Sequence, residues 1–201
     1  KIKKDGYIGY IKNKKFSKPI KPNFKVSVLK ARLFCGPSLK KKLNKFLPYE
    51  SRIKIIKKNG KFGKFEKYWI QISALKKINF KHKNFFKDIK LFKNTRYLWG
   101  GKSYKGIDCS ALVQLLINQN NKFCPRDSKD QEKYFRKKTS LKNIRKNDLI
   151  FWKGHVAIAL SKSKLIHAYG PMKKVVIMNT KKTIDRIYRT ANLKVTSIKR
   201  I

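Results

Sequence analysis

A cysteine at the start of an apolar segment has the type and the position for nucleophilic catalysis. Cys109 follows Asp108 and precedes the run Ser110 to Asn118, which predicts that the cysteine lies in the first turn of a helix. Unpaired backbone N–H groups and the helix dipole favour negative charge at such a position, so we expect a lowered thiol pKa. Because the thiolate is the nucleophilic form of cysteine, Cys109 is the candidate nucleophile.

A nucleophilic cysteine needs a base, and the base needs an orienting partner. The chain has three histidines, of which His155 follows a glycine at the start of a predicted strand and His167 lies on the next one. An antiparallel pair of these strands places His155 as the base facing Cys109, with His167 fixing its tautomer. His82 lies in a lysine-rich segment and is most simply a surface residue. For each histidine taken alone, a structural role stays open.

The other two cysteines, Cys35 and Cys124, lack a candidate base in the sequence and are interpreted as inert thiols. No CxxC pair or Cys/His cluster suits zinc, so we predict neither a metal site nor another cofactor. Free thiols fit a reducing compartment, which favours the cytoplasm over a periplasmic or secreted location. The sequence begins at Lys1 rather than at a methionine, and it therefore leaves open whether a targeting segment precedes it.

The elements around these residues predict an α+β domain. Residues 108–118 form a helix with Asp108 as its N-cap, and an apolar stripe runs along one side: Ala111, Leu112, Leu115 and Leu116. The segments that follow are predicted as strands: 146–152, 155–160, 164–169 and 175–178. A helix followed by neighbouring strands predicts a central antiparallel sheet.

The first part of the chain, up to about residue 78, has the pattern of short strands separated by turns. Predicted strands cover 26–34, 52–57 and 65–72, and Asn59-Gly60 favours a hairpin turn. This spacing predicts a small all-β barrel over 21–78. Residues 1–20 are either the tail of a truncated first barrel or a strand added to that barrel.

The charge of the chain is strongly positive, at +44, and 54 of its 201 residues are Lys or Arg. Only nine of these are Arg, whereas proteins that read nucleic acid sequence favour Arg, so no specific nucleic acid partner is predicted. The lysines are scattered along the chain, and AT-rich codon usage produces such a bias. A solvated surface is the favoured interpretation, with an anionic cell-wall polymer as the alternative. Lysines interrupt every apolar run, which excludes a membrane span of about 18 or more residues.

Taken together, the segments around the three candidate catalytic residues resemble the NlpC-type bacterial cell-wall peptidases, which are papain-like cysteine peptidases. The resemblance covers 81–190 and rests on these motifs: 97–114, 125–131, 148–152, 154–158 and 165–168. One departure is Ala111, where the family usually has a glycine, and a helix interior accepts this change. Residues 6–11 resemble the closing strand of a bacterial SH3-like barrel. A peptidase domain with SH3-like barrels upstream resembles the subgroup of the family that cleaves γ-D-glutamyl-diamino acid bonds.

This resemblance implies a papain-like α+β domain over 79–201, preceded by one or more SH3-like barrels. It implies that Cys109 attacks the γ-glutamyl carbonyl and that His155 holds the thiolate as an ion pair and then protonates the leaving amine. His167 orients His155. The oxyanion is met by the backbone N–H of Cys109 and by the hydroxyl of Tyr97.

Further positions match residues that in this subgroup grip the free N-terminal amine of L-alanine, namely Asp108, Ser110 and Asp127. Each has a structural alternative, because Asp108 can be a helix N-cap with Ser110 in the first turn. Asp127 can likewise cap a second helix together with Ser128. Trp99 either lines the cleft or fills the core.

The function that this resemblance implies is hydrolysis of peptidoglycan stem peptides, with a peptidoglycan-derived peptide as the partner. Recycled muropeptides and intact cell wall both remain open as substrates. An acyltransferase or amidase on the same scaffold is one alternative. A basic cell-wall binding module with an inactive peptidase fold is the other.

Overall fold

The computed structural model describes Tyr10 and residues 19–201. These residues fall into two compact units. The N-terminal unit contains the described residues up to Lys83 together with Gln119–Asn121, and the C-terminal unit contains Asn84–Asn118 and Lys122–Ile201. The segment predicted as the tail of a first barrel, 1–20, lies outside the described residues except for Tyr10, Pro19 and Ile20.

The N-terminal unit consists of short antiparallel strands. These are β1 (Phe24–Val26), β2 (Lys30–Phe34), β3 (Lys42–Pro48), β4 (Arg52–Ile53), β5 (Lys57–Asn59), β6 (Phe62–Phe65), β7 (Tyr68–Gln71) and β8 (Leu75–Lys77). They form one sheet in the order β4-β1-β8 and another in the order β3-β2-β7-β6-β5. Both sheets contribute to one apolar cluster that includes Val26, Leu33 and Ile70. Among the described residues neither sheet closes on itself, so the predicted SH3-like barrel over 21–78 is not confirmed.

Three predicted strands are interrupted in the structure, and one of them, 52–57, is divided between β4 and β5. The segment 26–34 breaks after β1, where the backbone N–H of Ser27 donates to the carbonyl of Ala74. The segment 65–72 breaks at Glu66, whose positive φ of 46° turns the chain between β6 and β7. The predicted hairpin turn is confirmed, because Gly60 has a φ of +51° between β5 and β6. A pattern of residue types cannot show where a non-glycine residue enters the left-handed region, which is why the break at Glu66 was missed.

The C-terminal unit is mixed α+β. Its strands are β9 (Lys102–Ser103), β10 (Gly106–Ile107), β11 (Lys138–Thr139), β12 (Leu149–Trp152), β13 (His155–Ala159), β14 (Lys164–Tyr169), β15 (Lys174–Asn179) and β16 (Val195–Lys199). Its helices are α1 (Cys109–Gln119), whose last residue is counted with the N-terminal unit, α2 (Ser128–Tyr134) and α3 (Thr180–Ala191). Six strands form an antiparallel sheet in the order β11-β16-β12-β13-β14-β15. The predicted α+β class with an antiparallel sheet is confirmed.

The centre of this sheet is apolar because its strands are buried along almost their whole length. All four residues of β12 and the last four of β13 are buried. Between these strands Gly154 adopts a φ of +76°, a conformation that L side chains rarely adopt, and this allows the tight turn that brings Trp152 opposite His155. The turn therefore fixes the position at which His155 enters the sheet.

Helix α1 begins one residue later than predicted and is buried on every side rather than along one stripe. Buried polar residues need partners in the interior, and one of those in α1, Gln114, donates to the carbonyl of Cys124. Helix α3 was not predicted, because two of its three buried residues are threonines, Thr180 and Thr183. No helix in the described part of the chain is both long and apolar enough to cross a membrane.

Candidate active site

The candidate nucleophile occupies the position that the sequence predicts, as the first residue of α1. The preceding Asp108 caps this helix, since its Oδ1 accepts a hydrogen bond of 2.8 Å from the backbone N–H of Ala111. The Cys109 thiol is buried, with 7% of the residue exposed, and the backbone N–H of Val156 hydrogen-bonds to it. Because Val156 follows His155 on β13, the thiol lies against the strand that carries the candidate base.

The protonation of the nucleophile differs from the expectation. Burial raises the pKa of the Cys109 thiol to about 11, and the charge of Asp108 acts in the same direction. Hydrogen bonds from Val156 and from the first turn of α1 lower it, as expected, but burial outweighs them. Burial also lowers the pKa of His155 to about 4. Both directions favour the uncharged form, a neutral thiol and a neutral imidazole, while the ion pair of Cys109 and His155 stays a prediction.

The two candidate histidines lie in direct contact. Nε2 of His155 is 2.9 Å from Nδ1 of His167, because β13 and β14 pair in an antiparallel register. His167 is fully buried, and the ring of Tyr169 stacks on it with a centroid distance of 4.6 Å. Burial, followed by the charge of a protonated His155, lowers the pKa of His167 to about 2. The structure thus brings together the pair that the sequence places on neighbouring strands.

An ion pair lies on another side of the nucleophile. Arg126 donates to both carboxylate oxygens of Asp108, at 2.6 and 3.0 Å, and to Oγ of Ser110 at 2.9 Å. Gly100 adds a backbone hydrogen bond of 2.9 Å to the same carboxylate. Burial opposes the charge of Arg126, but the hydrogen bond and the charge of Asp108 raise its pKa above the ordinary value. Two of the three predicted amine ligands, Asp108 and Ser110, are therefore already hydrogen-bonded to a cation.

Arg126 received no role in the sequence analysis, although it lies in one of the motifs that carry the resemblance. The signal that could have identified it is its rarity, since the chain has only nine arginines among 54 basic residues. Buried acids select Arg because its planar fork donates in bidentate geometry. Asp148, the residue before β12, illustrates the same choice, since it is paired with Arg200 at 2.9 Å.

One cavity of about 580 Å³ connects the predicted substrate-binding residues. It is lined by Cys109 and by all five residues that the sequence assigns to substrate binding: Tyr97, Trp99, Asp108, Ser110 and Asp127. Gly154, the residue before His155, also lines it, and so do three cations, Lys102, Arg126 and Lys129. The cavity therefore gives a substrate access to the thiol.

The structure gives further information on three of these lining residues, and for Trp99 and Asp127 it bears on the structural role that the sequence left open. Trp99 is 86% exposed, so it does not fill the core. Asp127 occupies the N-cap position of α2, but its side chain makes no capping hydrogen bond. Burial, and then the charges of an ionised Cys109 and of Asp108, raise the pKa of Tyr97, which keeps its hydroxyl protonated as a potential donor.

The two consecutive glycines before the nucleophile are required for different reasons. Gly100 has a φ of +73° and donates its backbone N–H to Asp108. A Cβ on Gly101 would lie 2.6 Å from the carbonyl oxygen of Gly106, so a side chain cannot fit there. Together they let the 97–101 segment pass close to the start of α1.

Comparison with known proteins agrees with this geometry. The sequence model of the NlpC/P60 family matches residues 94–192. The chain is 39% identical over 74 residues to dipeptidyl-peptidase 6 of Lysinibacillus sphaericus, which covers 37% of this chain and 27% of that protein. It is 33% identical over 96 residues to gamma-D-glutamyl-L-lysine dipeptidyl-peptidase of Bacillus subtilis, covering 44% of this chain and 32% of that protein.

The fold is also similar to that of a solved structure. A crystal structure of an NlpC/P60 family protein from Bacillus cereus matches 89% of this chain and 63% of its own, with a TM-score of 0.71 and 21% identity. The match over residues 94–192 supports an NlpC/P60 family cysteine peptidase domain in this part of the chain, in agreement with the predicted resemblance. The chain spans about a third or less of the two curated relatives named above.

Proposed function

We propose that this protein is a cysteine peptidase that hydrolyses γ-D-glutamyl-diamino acid bonds in peptidoglycan stem peptides with a free N-terminal L-alanine. The observation that carries the proposal is that a cavity-lining thiol at a helix N-terminus lies against the strand of His155, whose ring is 2.9 Å from that of His167 on the next strand. The similarity to a gamma-D-glutamyl-L-lysine dipeptidyl-peptidase supports this bond type. Other relatives named as peptidases support the reaction class.

The first half of the reaction starts from the neutral pair. As Sγ of Cys109 attacks the γ-carbonyl carbon, the thiol proton passes to His155, which becomes an imidazolium. The carbonyl oxygen takes up the negative charge and is met by the backbone N–H of Cys109 and the hydroxyl of Tyr97. The C–N bond then breaks, His155 returns its proton to the leaving amine, and a thioester remains on Cys109.

The second half hydrolyses that thioester. His155 takes a proton from a water molecule that attacks the thioester carbonyl, and a second oxyanion forms in the same place. The C–S bond breaks, and the proton on His155 returns to the sulfur. The product leaves as the D-glutamyl γ-carboxylic acid and loses its remaining proton to solvent, and the thiol and the imidazole regain their neutral forms. His167 keeps its contact with His155 through both halves.

The electrostatics of the cavity suit a peptide that carries charges of both signs. Asp127 is exposed and lines the cavity, so its carboxylate is available to a substrate ammonium group. Asp108 contributes to the local negative potential, but Arg126 offsets most of its charge. Lys102 and Lys129 provide attraction for the carboxylates of a stem peptide. We therefore assign the greater part of amine recognition to Asp127.

The proposal is tested by digesting L-Ala-γ-D-Glu-diaminopimelate and its N-acetylated copy and following the products by mass spectrometry. Wild-type protein is expected to release L-Ala-D-Glu from the free peptide and to cleave the acetylated copy far more slowly. Cys109→Ala is expected to abolish release, whereas Cys35→Ser, which changes an exposed thiol, serves as the matched control and keeps full activity. Equal release by wild type and Cys109→Ala would refute thiol catalysis.

The same digest separates the proposal from its alternatives. Cleavage of intact cell wall but not of the short peptide would reject the free-alanine requirement while keeping the peptidase. Transfer of the acyl group to an added amine in preference to water would indicate an acyltransferase. Binding to cell wall without any cleavage, unchanged in Cys109→Ala, would indicate a binding module.

A further inference from the structure

We infer that Met178 is a positioning residue that fixes the tautomers of the histidine pair, so that Nδ1 of His155 is the atom that accepts the Cys109 proton. The inference rests on the proposed cysteine peptidase function, since it concerns the base of that reaction. It assigns a role to a side chain on β15, an element that carries none of the residues discussed so far. The argument follows the protons through three consecutive contacts.

The contacts of His167 are fully defined by the fold. Its Nδ1 lies 2.9 Å from Nε2 of His155, and its Nε2 lies 3.3 Å from Sδ of Met178. His167 faces Val176 in the β14–β15 pair, so Met178, two residues further along β15, is its diagonal neighbour on the same face. The stacked ring of Tyr169 covers a face of the imidazole and leaves both nitrogens to these partners. Since His167 is fully buried, bulk solvent does not compete for either nitrogen.

The sulfur of Met178 determines where His167 carries its proton. A thioether has lone pairs and no hydrogen, so it can accept a hydrogen bond but cannot donate one. The contact with Met178 is therefore attractive only when Nε2 of His167 is protonated. A neutral imidazole carries a single N–H, and burial keeps His167 neutral, which leaves Nδ1 as an acceptor.

The consequence passes directly to the base. Because Nδ1 of His167 accepts, Nε2 of His155 must donate in the 2.9 Å contact. The neutral His155 then has its lone pair on Nδ1, and this is the only atom of the ring that can take up a proton. When it does so, the hydrogen bond to His167 persists and stabilises the imidazolium. Proton transfer from Cys109 therefore needs no rearrangement in the pair.

The opposite arrangement would inactivate the base. With its proton on Nδ1, His167 would donate to Nε2 of His155 and turn a bare nitrogen toward the lone pairs of Met178. His155 would then carry its own proton on Nδ1, with its lone pair engaged by His167. Such a base cannot accept a proton from the thiol. Met178 thus favours the competent arrangement without adding a charge that would trap the imidazolium.

The variant that tests this role is Met178→Leu, which removes the acceptor and nearly preserves the side-chain volume. Leu193→Met is the matched control, because Leu193 packs against the same apolar cluster as Met178 and undergoes the reverse exchange. ¹⁵N NMR of the imidazole nitrogens in the full chain, without substrate, reports which nitrogens are protonated. Steady-state kinetics on the stem peptide provides the second measurement.

In the wild type and in Leu193→Met we expect His155 and His167 both to be protonated at Nε2. In Met178→Leu we expect a mixture of tautomers, and kcat should fall by about three- to tenfold, the size of one net hydrogen bond, with KM unchanged. Protonation of His167 at Nδ1 in the wild type would overturn the inference. Unaltered tautomers in Met178→Leu, or altered tautomers with an unaltered kcat, would overturn it as well.

The NMR measurement is independent of turnover and so separates this inference from the proposed function. A chain that shows the expected tautomers but no peptidase activity would contradict the proposed function and retain the control of the tautomers by Met178. An active peptidase with His167 protonated at Nδ1 would contradict the control of the tautomers by Met178 and retain the proposed function.

Discussion

Two pairs of polar residues near Cys109 respond to burial differently: the pair of histidines loses its charge, and the pair of Asp108 and Arg126 keeps both charges. His155 and His167 are both uncharged, because burial lowers their pKa values to about 4 and about 2. Asp108, the residue before the nucleophile, instead forms an ion pair with Arg126, with an N–O distance of 2.6 Å. Burial alone therefore does not decide whether a group is charged, since the charge of its partner matters as much.

This difference matches what each pair has to do. A proton has to enter and leave His155, and a neutral pair without a fixed counter-charge allows that change at moderate cost. The carboxylate of Asp108 instead has to stay in place, because it caps α1 and holds Gly100 and Ser110. The five hydrogen bonds that reach this carboxylate, from Arg126, Gly100, Ser110 and Ala111, hold it in one position. The histidine pair therefore serves proton transfer, and the pair of Asp108 and Arg126 holds the start of α1 in position.

The largest expected effect comes from removing the base. His155→Ala should lower kcat by about a hundred- to ten-thousandfold, because no other described group is placed to take the thiol proton. His82→Ala, which removes an imidazole from the N-terminal unit, is the matched control and should leave kcat unchanged. The measurement is the rate of L-Ala-D-Glu release. A comparable fall in kcat in both variants would contradict the assignment of His155 as the base.

Breaking the ion pair of Asp108 and Arg126 tests whether it stabilises the fold. Arg126→Met leaves the Asp108 carboxylate buried without its cation, and we expect the free energy of unfolding to fall by about 3–5 kcal/mol. Urea denaturation measures this change. Asp108→Asn in the same chain should recover part of the loss, because the unpaired charge disappears. Arg136→Met, at an exposed arginine, is the control and should change stability by less than about 0.5 kcal/mol.

Lowering the pH should reduce the free energy of unfolding through His155 and His167. The pKa of His155 is about 4 in the folded chain and near 6.5 in the unfolded chain, and that of His167 is lower still. Below pH 6.5 the unfolded chain therefore binds protons that the folded chain does not, and stability falls as the pH decreases. Each histidine should contribute a loss of about 1–2 kcal/mol between pH 7 and pH 5.

Urea midpoints at these two pH values measure the acid effect. His167→Asn removes one of the two titrating groups and should flatten the dependence. A loss of the same size in this variant and in the wild type would mean that other groups cause it.

The smallest effect on stability is expected at the mouth of the cavity. Trp99 is 86% exposed, so Trp99→Ala should change the free energy of unfolding by less than about 0.5 kcal/mol. If Trp99 contacts the substrate, KM should rise by about three- to tenfold, as for the loss of one partly buried aromatic contact. Kinetics on the stem peptide checks this, and Trp152→Phe, in the core, offers the contrast of a variant that alters stability instead.

Much of the arrangement was predictable because it depends on local signals. The cap and the apolar run predicted α1 to within one residue, and β14 has the predicted bounds 164–169. The turn at Gly154 and the spacing of the strands predicted the contact between the histidines. The break at Glu66 and the open sheets of the N-terminal unit were not predictable, because they depend on how distant strands pair.

The sequence by itself determined the position of the nucleophile at a helix start, the two histidines on adjacent strands and the family of the domain. These depend on residue types a few positions apart. The tertiary structure alone decided that the pKa of the thiol is raised and that those of the imidazoles are lowered, because desolvation depends on everything that packs around a group. It also selected Arg126 for Asp108 and Met178 for His167, since each partner comes from a separate element that only folding brings within hydrogen-bond distance.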